Sequence, residues 1–191
     1  MKNKILVETS ARHVHLNDEA VKILFGQNAK LTFKKELSQP GQFQSNERVT
    51  VVGPKRQLEN VSVLGPERSA NQVEISATDA RSIGVEGVVR LSGDIDGTPG
   101  CKLIGPCGEI ELAEGVIVAK RHIHLTEKDA IDFGVKNNDV VKVAIKNDFR
   151  SLIFDEVIIR IKNTFAAAMH IDTDESNAAG IKLGDYGIII K

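Results

Sequence analysis

Apolar and polar positions alternate with a period of two through most of this chain, and many of the apolar ones are β-branched. The alternation predicts short strands at Ile5–Thr9, Arg48–Val52, Val61–Leu64, Val73–Ser76, Val88–Leu91, Ile110–Leu112, Val116–Ala119, Val140–Ile145, Val157–Ile161 and Gly187–Ile190. Gly53-Pro54, Gly65-Pro66, Gly97-Thr98-Pro99-Gly100 and Gly105-Pro106 punctuate them as turns. Short strands at such close spacing predict small barrels, a mainly β fold. Helical periodicity surfaces only briefly. It predicts helices at Asp18–Phe25, capped by Asn17, and at Glu127–Phe133, capped by Thr126, with two more at Thr78–Ile83 and Glu175–Ala179.

The pattern occurs twice. Arg12-His13-Val14-His15 returns as Arg121-His122-Ile123-His124, an offset of 122 − 13 = 109. Leu16-Asn17-Asp18-Glu19 then runs parallel to Leu125-Thr126-Glu127-Lys128, and Phe25-Gly26 matches Phe133-Gly134 after a one-residue deletion. Further on, Val73-Glu74-Ile75-Ser76-Ala77-Thr78-Asp79 lies over Met169-His170-Ile171-Asp172-Thr173-Asp174-Glu175, an offset of 170 − 74 = 96. Glu59–Val63 lies over Asp155–Ile159 at the same offset. The chain is thus two copies of one unit, roughly 1–115 and 116–191, and the first copy carries an insert around Ser92–Pro106 with no counterpart.

The repeat gives the histidines a chemistry. All five lie in the two His-x-His pairs and at His170. Residues i and i+2 of a strand share a face, so each pair can chelate one ion from one side. The alignment adds a third donor to each pair, Glu74 in the first copy and His170 in the second. His13, His15 and Glu74 form one set; His122, His124 and His170 form the other. Both compositions are zinc ligand sets that leave a position open, and the absence of thiolate among them fits zinc as a borderline metal. A zinc dication keeps one net positive charge on the first set and two on the second, so the sites seek an anion. Arg68, shortly before the Glu74 strand, has the planar fork that suits phosphate. Its counterpart in the second copy is Thr164. Arg12 and Arg121 are duplicated and read as salt-bridged framework.

Composition narrows the alternatives. A net charge of −1 provides no global field for nucleic acid or an anionic membrane. No apolar run approaches the length of a membrane span, and the N-terminus does not read as a secretory signal. Aromatic side chains are too scarce for base-stacking platforms. Cys101 and Cys107 match neither a usual zinc motif nor a disulfide framework, which suits a reducing cytoplasm.

Several motifs together resemble the PduL-type phosphate acyltransferases, also called phosphate propanoyltransferases or phosphotransacylases. They are Arg12-His13-Val14-His15, Leu37-Ser38-Gln39-Pro40-Gly41-Gln42-Phe43, Val63-Leu64-Gly65-Pro66, Gln72–Ser76, Gly97-Thr98-Pro99-Gly100, Glu114–His124 and Met169–Glu175. The resemblance covers essentially the whole chain. It implies two duplicated small β-barrels with short α-helical caps, the first strand of each unit packing into the other. The domains are then 12–119, with the insert, and 1–11 plus 120–191. It implies a homodimer with two zinc ions per chain, where the barrels meet, and the reaction acyl-CoA + phosphate ⇌ acyl phosphate + CoA. The family's zinc ligands fall on His13, His15 and Glu74 and on His122, His124 and His170, and its phosphate-binding arginine falls on Arg68. Gln39 and Gln42 are further candidates to line the pocket. Members housed in microcompartments carry an N-terminal extension. Here the first predicted strand begins at Ile5, so a cytoplasmic enzyme is expected, working with acetate kinase on acetyl-CoA. Lys34, Lys35, Arg48, Lys55 and Arg56 are cations available to CoA phosphates, without a ranking among them.

Two other readings compete. A dizinc hydrolase of thioesters or phosphoesters would use the same ligands. A non-enzymatic metal-binding barrel protein would need a fourth protein ligand at each site, for which Asp172 and Asp174 are the available carboxylates near His170.

Overall fold

The structure is a computed structural model that describes residues 3–190. In chain order its elements are β1 (Lys4–Thr9), β2 (His13–His15), α1 (Asp18–Phe25), β3 (Phe33–Glu36), β4 (Phe43–Val52), β5 (Gln57–Gly65), β6 (Gln72–Glu74), α2 (Ala77–Ile83), β7 (Val89–Arg90), β8 (Cys101–Ile104), β9 (Glu109–Leu112) and β10 (Val116–Ala119). They continue with β11 (His122–Leu125), α3 (Glu127–Phe133), β12 (Val140–Ile145), β13 (Leu152–Ile161), β14 (Ala168–Ile171), α4 (Thr173–Ala179) and β15 (Tyr186–Ile190). The fold is mainly β, as the alternation predicts. Phe33–Glu36 and Cys101–Ile104 were not predicted: the first is exposed at all four positions, so no buried face imposes a period on it.

The chain divides into two compact units. A barrel unit takes residues up to Ser10, Ser38–Pro40, and everything from Lys120 onward. A sheet unit takes Ala11–Leu37 and Gly41–Ala119.

In the barrel unit the strands close in the order β1-β14-β11-β13-β12-β15. Inward positions fill the interior with aliphatic side chains: Ile5, Val7, Ile123, Leu125, Val143, Val157, Ile159, Met169 and Ile171 are all buried. Each contributes about 1.5–3 kcal/mol of transfer free energy when fully buried. Closure brings β15 against β12 at Gly187, where a Cβ would stand 2.3 Å from Val143 Cγ1, so no larger residue fits.

In the sheet unit β10-β6-β2-β5-β4 repeats β1-β14-β11-β13-β12 pair for pair, with the same parallel and antiparallel senses. The first strands are exchanged, in matching register. Val7 pairs with Met169 in the barrel unit, and its equivalent Val116 (116 − 7 = 109) pairs with Val73 in the sheet unit.

Beyond β4 the copies part: one closes into a six-stranded barrel and the other is a curled nine-stranded sheet. In the barrel unit β12 is flanked by β15. In the sheet unit the place beside β4 goes to β8, which comes from the insert and forms a hairpin with β9. After β7, which pairs with β10, the chain turns at Ser92–Asp94 into the insert. The sheet unit therefore stays open, with β7 and β9 at its edges. Its core gathers Val14, Leu16, Leu24, Val51, Val63, Val73, Ile83 and Leu103.

The helices are short and capped by side chains. Asn17, Ser76, Thr126 and Asp172 each accept a hydrogen bond from a backbone N–H in the first turn of α1, α2, α3 and α4. The capping positions are themselves repeated, Asn17 with Thr126 and Ser76 with Asp172. None of the described helices is long and apolar enough to cross a membrane.

The β4–β5 and β12–β13 pairs share a bulge, and the repeat places Asn60 and Glu156 in it (156 − 60 = 96), with φ of 57° and 53°. Asparagine tolerates this left-handed conformation; a glutamate there is strained. Glu156→Asn should therefore stabilise the protein by about 0.5–1 kcal/mol, read as a higher urea midpoint. An unchanged or lower midpoint would show that exposed Glu156 carries no such strain.

Candidate metal centre

The first set of candidate ligands sits on the adjacent antiparallel strands β2 and β6. His13 is paired directly with Glu74, and His15 with Gln72. The strand period aims both imidazoles and the carboxylate to one side. His13 Nε2 lies 3.2 Å from His15 Nε2 and 3.5 Å from Glu74 Oε2, and His15 Nε2 lies 3.8 Å from Glu74 Oε1. A tetrahedral zinc held at its usual ligand distances would space its donors about 3.3–3.4 Å apart. The three side chains are buried, and their donor atoms all fall within 4.8 Å of one another.

The surroundings prepare these donors. His13 Nδ1–H donates to the Ala11 carbonyl at 2.8 Å, which leaves the Nε2 lone pair facing the cluster. Glu74 Oε1 accepts from Gln72 Nε2 at 2.6 Å and from Ser92 Oγ at 2.7 Å, which turns Oε2 toward His13. Burial opposes the charge on Glu74, yet the neighbouring His13 and His15 and the hydrogen bond from Ser92 hold its carboxyl well below the usual range. Burial likewise opposes charge on His13, but Glu74 outweighs it and raises the imidazole. His15 moves the other way: burial, then the His13 and Arg68 charges, keep it neutral. Its Nδ1 has no well-formed hydrogen bond, the Leu64 backbone contributing only weakly. A fixed carboxylate, a neutral imidazole and an oriented lone pair fit a divalent cation.

The second set repeats the plan in the barrel unit. His122 pairs with His170 across β11 and β14, and His124 with Ala168. Ring centroids lie 4.6 Å apart for His122 and His124, 5.3 Å for His122 and His170, and 4.9 Å for His124 and His170. Three imidazoles on a tetrahedral zinc would hold their centroids about 5 Å apart. His122 Nδ1–H donates to the Lys120 carbonyl at 2.8 Å, the counterpart of His13 and Ala11. His170 has Glu8 on its Nδ1 side and Gln39 on its Nε2 side. A carboxylate at Nδ1 and an amide N–H at Nε2 select one tautomer, with the lone pair on Nε2. The three imidazoles are gathered on the plan of the first set, and an ion there would take the His170 Nε2 lone pair in place of the Gln39 N–H.

Arg68 belongs to the neighbourhood of the first set. Its Nη1 donates to Ser92 Oγ at 3.2 Å, and its charge is felt at both His13 and His15. Sequence reasoning missed Ser92 and Gln72. Gln72 could have been found by the same i, i+2 logic that grouped His13 with His15. Ser92 could not, because only the fold brings the start of the insert against Glu74.

Other candidates have different roles. Gln39 is buried and clamps Ala166, donating to its carbonyl at 3.0 Å and accepting from its N–H at 3.2 Å. Gln42 lies in the loop before β4, where its carbonyl accepts from Leu37 N–H. Asp172 is the cap of α4, in a reciprocal capping box with Glu175, so it is committed to the helix as its counterpart Ser76 is to α2. Cys101 is buried in β8, where burial and Glu111 push its thiol up to about 12, so it makes a poor nucleophile. Arg12 and Arg121 pair with Asp79 at 3.1 Å and Glu175 at 3.0 Å, acids that the repeat places at equivalent helix positions.

Comparison with known proteins identifies the family. The sequence profile of phosphate propanoyltransferases matches residues 6–182. The chain belongs to the phosphate propanoyltransferase family. It is 53% identical over 187 residues to the phosphate propanoyltransferase of Thermotoga maritima, covering 98% of this chain and 89% of that one. The enzyme of the same name from Leptotrichia buccalis is 54% identical over 186 residues, 97% of this chain and 88% of its own. That of Citrobacter freundii is 54% identical over 171 residues, 90% and 81% respectively. The protein is accordingly a phosphate acyltransferase, which sets aside both the hydrolase and the non-enzymatic scaffold.

In this family member Arg121 is partly exposed, so its bond to Glu175 is a framework contact of modest strength. An Arg121→Ala, Glu175→Ala double-mutant cycle should give a coupling of about 0.2–1 kcal/mol by chemical denaturation, with the phosphate KM unchanged. A raised phosphate KM would move Arg121 from framework to substrate contact.

Proposed function

We propose that this protein converts a short-chain acyl-CoA, acetyl-CoA or propanoyl-CoA, and phosphate reversibly to acyl phosphate and CoA, using two zinc ions per chain. The observation that carries the reading is the His13, His15 and Glu74 cluster, at zinc donor spacing and beside Arg68, in a phosphate acyltransferase. His13, His15 and Glu74 hold one ion; His122, His124 and His170 hold the other. Bound zinc supplies Lewis-acid charge for phosphate and for the oxyanion that develops on the thioester carbonyl.

The chain's own residues do the rest. Arg68, anchored on Ser92, presents its fork to phosphate and fixes which oxygen faces the thioester. That oxygen attacks the acyl carbon; the tetrahedral intermediate collapses by breaking the carbon–sulfur bond, and CoA leaves as thiolate. Arg68 offsets negative charge as it develops. Gln72 and Ser92 hold Glu74 in one orientation throughout. Direct attack needs no acyl-enzyme, consistent with the inert thiol of Cys101.

Thiol release from acetyl-CoA, propanoyl-CoA and longer thioesters, measured with and without phosphate, tests the reading. Wild-type release should require phosphate and yield acyl phosphate; release without phosphate would overturn it. His13→Ala or His124→Ala should abolish turnover and leave about one zinc per chain, measured by metal analysis. Full activity after loss of both ions would exclude the metal mechanism. Arg68→Ala should keep both ions while raising the phosphate KM tenfold or more, on the order of a lost charge-assisted contact. An unchanged KM would remove Arg68 from the phosphate site.

A further inference from the structure

The two ligand sets differ by one charge, yet the strand beside each compensates in opposite ways. In the sheet unit the exchanged strand β10 places Ile117 directly beside Glu74. In the barrel unit the equivalent strand β1 places Glu8 directly beside His170. Glu8 and Ile117 are equivalent positions (117 − 8 = 109), as are His170 and Glu74 (170 − 74 = 96). Carboxylate and partner have thus changed places: one unit carries the acid on the ligand position, the other on the neighbouring strand.

Glu8 is not a stray surface acid. Its Oε2 lies 3.7 Å from His170 Nδ1, with Glu8 27% and His170 15% exposed at the side chain. Ser38 Oγ–H donates a short hydrogen bond to the same oxygen. Ser38 belongs to the Ser38–Pro40 segment that joins the barrel unit, and the next residue, Gln39, packs its amide N–H toward His170 Nε2 at 3.3 Å. One short segment thus holds Glu8 on one side of this ring and caps the other until an ion takes the Nε2 lone pair.

We propose that Glu8 is a positioning residue for His170, the carboxylate of a carboxylate–histidine–metal relay. Its carboxylate stands at ion-pair distance from Nδ1, holds the ring with Nε2 toward the ion, and supplies the negative charge that Glu74 supplies directly in the sheet unit. With Glu8 counted, each ion has two or three neutral imidazoles and one carboxylate, and the two centres carry equal net charge. Outer partners of this kind typically change metal affinity 10–100-fold when removed.

The proposal rests on the two-zinc reading, and its test separates the two. Zinc affinity is measured by competition with a chromogenic chelator, independently of turnover, in a His13→Ala background that retains the barrel-unit ion alone. Adding Glu8→Gln should raise the zinc Kd about 10–100-fold. Glu8→Asp should recover part of the loss, and Ser38→Ala should give a smaller loss. Far-UV circular dichroism and the unfolding midpoint confirm that each variant is folded. An unchanged Kd in Glu8→Gln, with His13→Ala still binding one ion, overturns the role of Glu8 and leaves the two-zinc reading intact. If wild-type protein binds fewer than two ions, the two-zinc reading fails and the role of Glu8 falls with it.

Discussion

Antiparallel pairing of a His-x-His strand with the strand carrying the third donor is the constraint on which the rest of the molecule depends. It occurs at β2 and β6 and again at β11 and β14, with the first histidine of each pair directly opposite the third donor. Side chains alternate faces along a strand, so a slip of one residue would send every donor to the wrong side. Most other features of the fold hold that register. The exchanged strands β1 and β10 flank the donor strands in parallel. The caps Ser76 and Asp172 end those strands two residues beyond the donors, and Arg12 and Arg121 tie the strand entering each His-x-His to the helix that follows the third donor. Each first histidine is then fixed in rotation by its bond to a backbone carbonyl two residues earlier.

Duplication would by itself give two alike centres. The insert breaks that symmetry. It supplies β8 beside β4 and turns Ser92 onto Glu74. Ser92 also receives Arg68, so the guanidinium and the Glu74 carboxylate share one hydroxyl. A carboxylate and a guanidinium this near would otherwise collapse into a direct ion pair. The hydroxyl lets Glu74 keep its orientation while it also receives Arg68.

Much of this was legible in the chain. Most strands with a buried face announced themselves by alternation, Cys101–Ile104 excepted, and Asn17 and Thr126 marked their helices. Phe33–Glu36 escaped because it buries nothing, and Asp172 misled because a carboxylate reads alike as ligand and as cap. Its alignment with Ser76, a residue type common at helix starts, carried the correct answer. The open edge of the sheet unit was invisible because an insert declares its length in sequence but not which strand it displaces.

What the sequence determined by itself was the set of candidate donors. Repetition is a property of order along the chain, and it matched His170 to Glu74 across 96 positions without any structure. What only the tertiary structure decided was how those donors are held. Gln72, Ser92, Gln39 and Glu8 act through contacts between segments far apart in the chain, such as Gln39 with His170, separated by 131 positions. Local patterning is written by the period of the backbone and can be read in order. Orientation depends on which strands become neighbours, and that follows from packing and strand exchange, which no local pattern encodes.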